Sequence, residues 1–402
     1  MTGLEGGPSL DNAARKAILA SLDRFIRDRL APRAKEIDAT AEFPRDLYKA
    51  VGELGIFGLW APTEFGGSGP DLVTPLLVAE RLARVSVAFA LSVSNMGDCM
   101  APLATAGSDW AKQAYLPGMA RGDIVPCFCL SEPSGGSDVA AMTTHARRDD
   151  RDYRLTGRKM WITSAPVSDV AVVFAKTAPD AGHKGITGFV VPRGAKGLTV
   201  GKPEDLVGLR GSPTTEVLFD DVRVPAEARL GEEGEGFRLA MITLDESRLN
   251  VATISLGAAT AAISEAVDYA RVRVQFGKPI IEHQGLQFIL SDRATELAAA
   301  RALWEKAVEV KARGPSRLAS TYAGMSKLMA SDLAMRAAVD AVQVLGAYGL
   351  SKSYPVERLL RDCKALQIFE GSNEIQRWSI GRQLQKSGLM LEEIDRILER
   401  KD

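Results

Sequence analysis

A run of small residues follows a short apolar segment near the middle of the chain. Residues 128–138 read FCLSEPSGGSD and stand at the end of a predicted strand. The backbone N–H groups of residues 134–137 could converge on a phosphate, and the serine hydroxyls could add hydrogen bonds. The run is not a dinucleotide-binding fingerprint, because it lacks GxGxxG and no βαβ pattern surrounds it. Taken alone, it is more typical of a surface turn.

An aromatic residue and a hydroxyl stand close together further along the chain. Residues 160–163 read MWIT and follow a strand-like segment, 153–156, and a predicted turn at Gly157. An isoalloxazine ring needs a stacking surface and a hydrogen bond to a heteroatom whose charge changes on reduction. Trp161 and Thr163 could supply both. By themselves they are more typical of a core tryptophan beside a strand threonine.

Glu370 is the candidate for acid–base chemistry. It follows the apolar residues Ile368 and Phe369, and it precedes Gly371, which lets backbone approach a substrate closely. An apolar site raises the pKa of a carboxyl group towards neutrality, which suits a base that removes a carbon-bound proton. Without further context, a glutamate before a glycine is more typical of a solvated loop.

Together these segments resemble the acyl-CoA dehydrogenase family, and further matching segments follow in chain order. The resemblance covers residues from about 12 to about 385. It implies an α+β multidomain fold, with an N-terminal α-helical domain, a central β-barrel-like domain and a C-terminal four-helix bundle. The further segments are 244–248 (LDESR), 273–277 (RVQFG), 283–284 (HQ), 343–346 (QVLG) and 368–372 (IFEGS).

The resemblance also implies an activity. Glu370 would remove the α-proton of an acyl-CoA thioester while the β-hydrogen leaves as a hydride to FAD, giving the trans-2-enoyl-CoA. Some members of the family carry the base one residue before the arginine of the 244–248 segment. Serine occupies that position here, as Ser247, so Glu370 has no competitor from that site. Electron-transfer flavoprotein is the expected electron acceptor.

The remaining site residues are assigned by the same resemblance. Trp161 would pack against the flavin ring and Thr163 would bond near its hydride-accepting nitrogen. The segment around Arg273 would reach the FAD of a neighbouring subunit, so a homotetramer, a dimer of dimers, is expected. The residues expected at FAD are Phe128, Leu130, Ser131, Gly136, Ser137, Trp161, Ile162, Thr163, Arg273, Phe276, Gln284, Gln343, Gly346, Ser372 and Glu374. Those expected at acyl-CoA are Ser137, Leu244, Asp245, Arg248 and Gly371.

The acyl group is less well defined by the sequence. In the family, the pocket bottom is lined by the helix that corresponds to residues 91–103, which here contains Asp98 in an apolar stretch. A buried carboxylate without a partner is costly. Asp98 therefore faces solvent, pairs with a basic group or meets a polar substrate. We expect a short- to medium-chain acyl-CoA. A polar or carrier-protein-bound acyl thioester, an oxidase or monooxygenase activity, and a non-enzymatic helical assembly stay open as alternatives.

The elements that would position these residues follow from the distribution of prolines and from hydrophobic periodicity. Nine of the 19 prolines lie between positions 117 and 225, and only three lie beyond. The apolar spacing predicts helices at 12–30 and 76–106, and strands at 169–176, 186–191 and 216–224. Long helical patterns then follow from residue 237, with breaks at 276–283, 314–316 and 346–355. We therefore place an N-terminal helical domain at 1–122, a central β domain at 123–233 and a helical bundle at 234–402.

Composition excludes several other classes of protein. The net charge is −1, from 50 basic and 51 acidic residues, which argues against a nucleic-acid partner. Three histidines and four cysteines without metal-ligand spacing argue against a metal site and a disulfide framework. Cys127 and Cys129 are expected to be buried on one strand face. The longest uncharged stretch is too short for a membrane span, and the expected location is cytoplasmic.

Overall fold

The N-terminal part of the computed structural model is helical. The structure describes residues 10–69 and 71–387. Asp11 caps the first helix by accepting a hydrogen bond from the backbone N–H of Ala14. The predicted helix at 12–30 is confirmed, with its last turn, Ile26–Leu30, wound as a π-helix. The helices are α1 Asn12–Phe25, α2 Ala34–Thr40, α3 Arg45–Glu53, α4 Val73–Ala83, α5 Val87–Ala106 and α6 Asp109–Ala120.

The central part forms one mixed sheet of eight strands. The strands are β1 Pro126–Cys129, β2 His145–Asp149, β3 Asp152–Thr163, β4 Val170–Lys176, β5 Ile186–Pro192, β6 Leu198–Val200, β7 Thr214–Val224 and β8 Arg229–Leu230. Their hydrogen-bonded order is β6-β7-β3-β2-β4-β5-β8, and β1 pairs in parallel with β4. The strands predicted at 169–176, 186–191 and 216–224 are confirmed as β4, β5 and β7.

The two faces of the sheet bury different cores. One face packs its own core, which includes Cys127, Cys129, Phe189 and Phe219. The other face packs on the helices, because β4 and β5 contribute alternate residues such as Val172 and Val190 to the large helical core. The four cysteines are free and buried, as expected for Cys127 and Cys129.

The turn predicted at Gly157 is wrong. β3 runs without interruption from residue 152 to residue 163, and Gly157 lies inside it opposite Phe219 of β7. A shift in pairing register between Leu155 and Gly157 marks a bulge there. A Cβ at this position would meet Thr144 at 2.5 Å, so the glycine serves close packing between strands rather than chain reversal.

The C-terminal part is a bundle of long helices. They are α7 Gly236–Val272, α8 Gln284–Ala312, α9 Arg317–Leu345, α10 Val356–Leu366 and α11 Asn373–Ser387, with a two-stranded hairpin of β9 Val274–Gln275 and β10 Lys278–Pro279 after α7. The predicted breaks are confirmed. Helix α9 packs against the other four, and α7 also packs on α4 and α5. This arrangement brings α5, α7, α9 and the α10–α11 turn together.

Two helices are long and apolar enough to cross a membrane by length and composition. They are α5, Val87–Ala106, and α7, Gly236–Val272. Their most apolar windows are 78% and 67% buried inside the protein. Their hydrophobic residues are therefore accounted for by the protein core.

Candidate active site

Glu370 lies on a tight turn between α10 and α11. Its backbone has φ = 55° and that of Gly371 has φ = 81°, so two successive residues adopt the left-handed conformation. For a non-glycine residue this conformation costs free energy and persists only when neighbouring contacts impose it. The Gln376 Nε2 amide supplies such contacts by donating to the Glu370 carbonyl at 3.1 Å and to the Gly371 carbonyl at 3.0 Å.

A buried lysine on α9 holds the same turn from the other side. Lys327 Nζ donates to the Gly371 carbonyl at 3.0 Å and to Asn373 Oδ1 at 2.8 Å. Asn373 in turn donates through Nδ2 to Asp332 Oδ1 at 2.7 Å. Burial lowers the pKa of Lys327 to about 8, against the opposing effect of nearby Glu370. Neither Lys327 nor Gln376 was predicted from the sequence. Lys327 is far from Glu370 in the chain, and Gln376, although close to Glu370, belongs to no recognised motif.

The Glu370 carboxyl group is in an environment suited to a base. Its Oε2 atom is buried and has no hydrogen-bond partner within the described part of the chain. Burial raises the pKa of Glu370, while Arg248, contact with the Ser247 hydroxyl, and Lys327 oppose that rise. A carboxylate that is desolvated and free on one oxygen is a stronger proton acceptor than a solvated one. The role of Glu370 as the base stays a prediction.

Asp98 on α5 lies beside this carboxyl group. A hydrogen bond of 3.2 Å joins Ser247 Oγ on α7 to Asp98 Oδ2. Burial, and then the charge of Glu370, raise the pKa of Asp98 well above its usual range. No described arginine or lysine forms an ion pair with it, so a basic partner, one of the alternatives in the sequence analysis, is wrong. Asp98 instead contacts a hydroxyl and faces a second carboxyl group.

The predicted acyl-CoA residues on α7 share one helix face. Arg248 Nη1 donates to Asp245 Oδ1 at 2.7 Å, three residues back along the helix. Ser320 on α9 donates its hydroxyl to the other oxygen of Asp245. Arg248 Nε is buried without a partner, which leaves a donor for a further group. Leu244 is half-buried one turn before Arg248 on the same helix.

A buried ion pair, which the sequence analysis missed, joins the two segments predicted to hold the flavin. Lys159 on β3 is fully buried and donates through Nζ to Glu132 Oε1 and to the Leu130 carbonyl, both at 3.0 Å. Glu132 also accepts from the backbone N–H groups of Thr143, at 2.6 Å, and Thr144, at 2.9 Å. The charge of Lys159 and these bonds lower the pKa of Glu132 to about 2, against the effect of burial.

The two segments that this ion pair joins also meet through their backbones. Ser131 is bound through its carbonyl to the Met160 N–H at 3.0 Å, so the 130–131 and 160–163 segments lie side by side. Trp161 has φ = 64° and is 56% exposed, although its neighbour Ile162 is buried. The large ring therefore lies on the surface next to the half-buried Thr163. This outward position excludes the core-tryptophan alternative.

The other residues near this surface differ in exposure. Leu130 is buried and the Phe128 ring packs 5.1 Å from that of Phe174, whereas Gly136 and Ser137 are exposed. Ser372 caps α11, and its hydroxyl accepts a hydrogen bond from the Ile375 N–H at 3.4 Å. Glu374 is exposed in the first turn of α11.

The predicted flavin residues after α7 lie elsewhere on the surface. Phe276 at the tip of the β9–β10 hairpin is 94% exposed and has φ = 51°. The Arg273 guanidinium lies 5.9 Å from the centre of the Tyr348 ring. Within the described residues, no hydrogen bond, ion pair or ring contact links 273–284 to 128–163. The remaining predicted residues there, Gln284, Gln343 and Gly346, are also exposed.

Three domains of one protein family match most of the chain. The N-terminal, middle and C-terminal domains of acyl-CoA dehydrogenase match residues 12–123, 127–222 and 234–385. This chain belongs to the acyl-CoA dehydrogenase family. It is therefore an oxidoreductase that acts on acyl-CoA, and its cofactor is FAD.

Relatives and solved structures extend over nearly the full length of the chain. An acyl-CoA dehydrogenase of Bacillus subtilis is 44% identical over 90% of this chain and 95% of that protein. Butyryl-CoA dehydrogenase of Megasphaera elsdenii superimposes with a TM-score of 0.90 at 38% identity, over 95% of this chain and 100% of that one. A chain in the structure of the electron transferring flavoprotein of Acidaminococcus fermentans gives the same values. The predicted fold class is confirmed.

Proposed function

We propose that this acyl-CoA dehydrogenase converts a short- to medium-chain acyl-CoA into the trans-2-enoyl-CoA, with Glu370 as the base that removes the α-proton. The observation that carries the proposal is the buried, unpartnered Oε2 of Glu370 on a turn that Gln376 and Lys327 hold in place. The likeness to butyryl-CoA dehydrogenase supports an acyl chain at the short end of that range. The Glu370 N–H, with a ribityl hydroxyl, is proposed to polarise the thioester carbonyl.

The residues predicted for FAD fit a flavin. Within the described residues, the hydroxyls of Ser131, Ser137 and Thr163 form no hydrogen bond with another protein group, so they are free for a ligand. Trp161 beside them offers an exposed aromatic face. FAD, when bound, supplies a hydride acceptor for the β-hydrogen. We propose that Trp161 orients the ring, that Thr163 and Ser131 bond its polar edge, and that Ser137 and Gly136 lie near its phosphates.

The acyl-CoA residues are proposed to lie along one face of α7. Arg248 and Asp245 form their ion pair near the thioester arm of the substrate, and Leu244 contributes apolar surface. The unpartnered Nε of Arg248 is a donor that bound substrate could satisfy. We also propose that Gly371, next to the base, allows the acyl group to approach the backbone closely.

A homotetramer, a dimer of dimers, completes the proposal. Phe276, Gln284, Arg273, Gln343 and Gly346 are exposed and lie apart from the Trp161 surface of their own chain. They therefore suit contact with the FAD of a second subunit. We also propose that the domain boundaries lie at 122/123 and 233/234.

The proposal also includes an electron acceptor and a cellular location. Electron-transfer flavoprotein is the proposed acceptor, supported by the likeness to a chain in the Acidaminococcus structure. A cytoplasmic location suits four buried, free cysteines.

Anaerobic mixing with acyl-CoA tests this function. Purified holoenzyme is mixed without oxygen with acyl-CoA of increasing chain length, and the flavin absorbance is followed. We expect rapid bleaching with short or medium chains, slow reoxidation by oxygen and fast reoxidation by electron-transfer flavoprotein. Rapid reoxidation by oxygen would instead indicate the oxidase or monooxygenase alternative. Bleaching only by polar or carrier-bound acyl groups would replace the proposed substrate.

A further inference from the structure

The proposed reaction uses one carboxyl group, yet the structure holds a second one beside it. Asp98 lies on the apolar helix α5, and its Oδ2 is 3.2 Å from Ser247 Oγ. Ser247 itself is buried on α7, and its hydroxyl lies near enough to the Glu370 carboxyl group to lower the pKa of that group. A single hydroxyl is thus shared by two carboxyl groups that come from different helical segments. A serine hydroxyl has one hydrogen to donate, so it can serve only one of the two as donor.

The charged groups around this cluster favour Glu370, not Asp98, as the ionised member. The cations Arg248 on α7 and Lys327 on α9 both lower the pKa of Glu370. Burial raises the pKa of Asp98 most, the charges of Glu370 and Glu246 raise it further, and the hydrogen bond with Ser247 opposes this rise. Within the part of the chain that the structure describes, neither cation forms an ion pair with Asp98.

The immediate neighbour on α5 adds no compensating charge. Cys99 is buried, and burial raises the pKa of its thiol well above the usual range, so it stays neutral. The two cations that lower the pKa of Glu370 already have other partners: Arg248 binds Asp245, and Lys327 binds the Gly371 carbonyl. A neutral Asp98 carboxylic acid is a hydrogen-bond donor, and the nearest acceptor is Ser247 Oγ.

We propose that Asp98 is a positioning residue for Glu370: as a neutral acid it donates to Ser247 Oγ, which directs the serine hydrogen to the Glu370 carboxylate. This inference rests on the proposed function, in which Glu370 must be ionised to remove the α-proton. Asp98 then acts through Ser247 and touches no reacting atom. An ionised Asp98 would instead compete for the serine hydrogen and place two like charges in one apolar site.

A neutral and an ionised Asp98 predict opposite results for two matched variants. Asp98→Asn keeps a donor of the same shape and carries no charge, so it imitates the neutral acid. Asp98→Leu has a similar volume but removes the donor. We measure the rate of flavin reduction by acyl-CoA in anaerobic stopped flow from acidic to alkaline pH. We expect Asp98→Asn to leave the acid limb of the profile where the wild type has it. Asp98→Leu should move the acid limb upward by about one pH unit, because Ser247 loses the donor that directs its hydrogen to the ionised Glu370.

A second variant protects this test against failure of Asp98→Leu to fold. Ser247→Ala removes the link itself and should also move the acid limb upward, and adding Asp98→Asn to it should have no further effect. The proposal is overturned if Asp98→Asn moves the acid limb downward, since that would show release of a negative charge. It is also overturned if neither Asp98→Leu nor Ser247→Ala moves the limb, whatever happens to the overall rate.

An infrared measurement separates this inference from the proposed function. The difference spectrum between wild-type holoenzyme and Asp98→Asn at neutral pH should contain the C=O band of a protonated carboxyl group, without any substrate present. Absence of that band contradicts the inference even if acyl-CoA reduces the flavin. If the band is present but no acyl-CoA reduces the flavin, the proposed function fails while the protonation of Asp98 stands.

Discussion

The turn that carries Glu370 and the proposed flavin surface around Trp161 differ in how many of their polar groups have partners within the subunit. Around Glu370, the carbonyls of the turn have donors from Gln376 and Lys327, and the carboxyl Oε2 atom has no partner among the described residues. Around Trp161, the ring is exposed, and the hydroxyls of Ser131, Ser137 and Thr163 form no hydrogen bond with another group of the described residues. The contrast indicates that the turn of Glu370 is held by contacts within the subunit, whereas the proposed flavin surface is left open to other molecules.

The largest expected effect comes from breaking the ion pair beneath the flavin surface. Lys159→Met leaves Glu132 buried without its charge partner, which costs about 3–5 kcal/mol of stability. We expect a lower urea midpoint and loss of bound FAD. Lys159→Met combined with Glu132→Gln removes both charges and should recover part of the stability. An unchanged midpoint for the single variant would mean that the ion pair does not support this surface.

A smaller loss of stability is expected at the turn that carries Glu370, where the contacts are hydrogen bonds. Gln376→Leu removes two donors from the carbonyls of residues 370 and 371, at a cost of about 1–3 kcal/mol. We expect flavin reduction by acyl-CoA to slow by about tenfold or more, because the base loses its fixed orientation. The FAD content should stay at the wild-type level. Equal loss of FAD and of rate would contradict the separation of the two regions.

The exposed hairpin tests whether a second subunit completes the flavin surface. Phe276 is 94% exposed in one subunit, so Phe276→Ala should change the stability of that subunit little. We expect FAD to dissociate more readily and the assembly to weaken, as measured by sedimentation and flavin fluorescence. Val207→Ala, at a residue 69% exposed in the central domain, is the control and should change neither. Equal behaviour of the two variants would exclude the proposed role of Phe276.

The smallest effect is expected from a buried acid that belongs to neither region. Asp362 on α10 accepts a hydrogen bond from the Leu209 N–H at 2.6 Å, and burial raises its pKa to about 7. The folded state therefore holds a proton that the unfolded state releases above its ordinary pKa, and the protein loses stability as pH rises towards 7. Asp362→Asn should flatten this slope in thermal unfolding between pH 5 and about 7. A slope equal to that of the wild type would contradict the raised pKa.

Much of the fold could be predicted from the sequence, and less of the site. Proline distribution and periodicity place the long C-terminal helices correctly, because proline disrupts a helix interior and few prolines occur in that part of the chain. Gly157 misled the prediction, since close packing and chain reversal favour the same residue. Lys159 and Gln376 could not be found, because the sequence around a single buried lysine or glutamine does not indicate which carbonyls its side chain will bond. Asp98 was singled out by its apolar surroundings, yet its contact with Ser247 depends on how α5 packs against α7.

The account depends most directly on Glu370 as the base. Glu370→Gln keeps the side-chain size and removes the proton acceptor, while Glu64→Gln changes an exposed glutamate in the N-terminal domain. Both variants are mixed as FAD-loaded protein with acyl-CoA in anaerobic stopped flow. We expect Glu370→Gln to slow flavin reduction by about 10³-fold or more with FAD content unchanged, and Glu64→Gln to match the wild type. Bleaching of Glu370→Gln at the wild-type rate would contradict the assignment of the base.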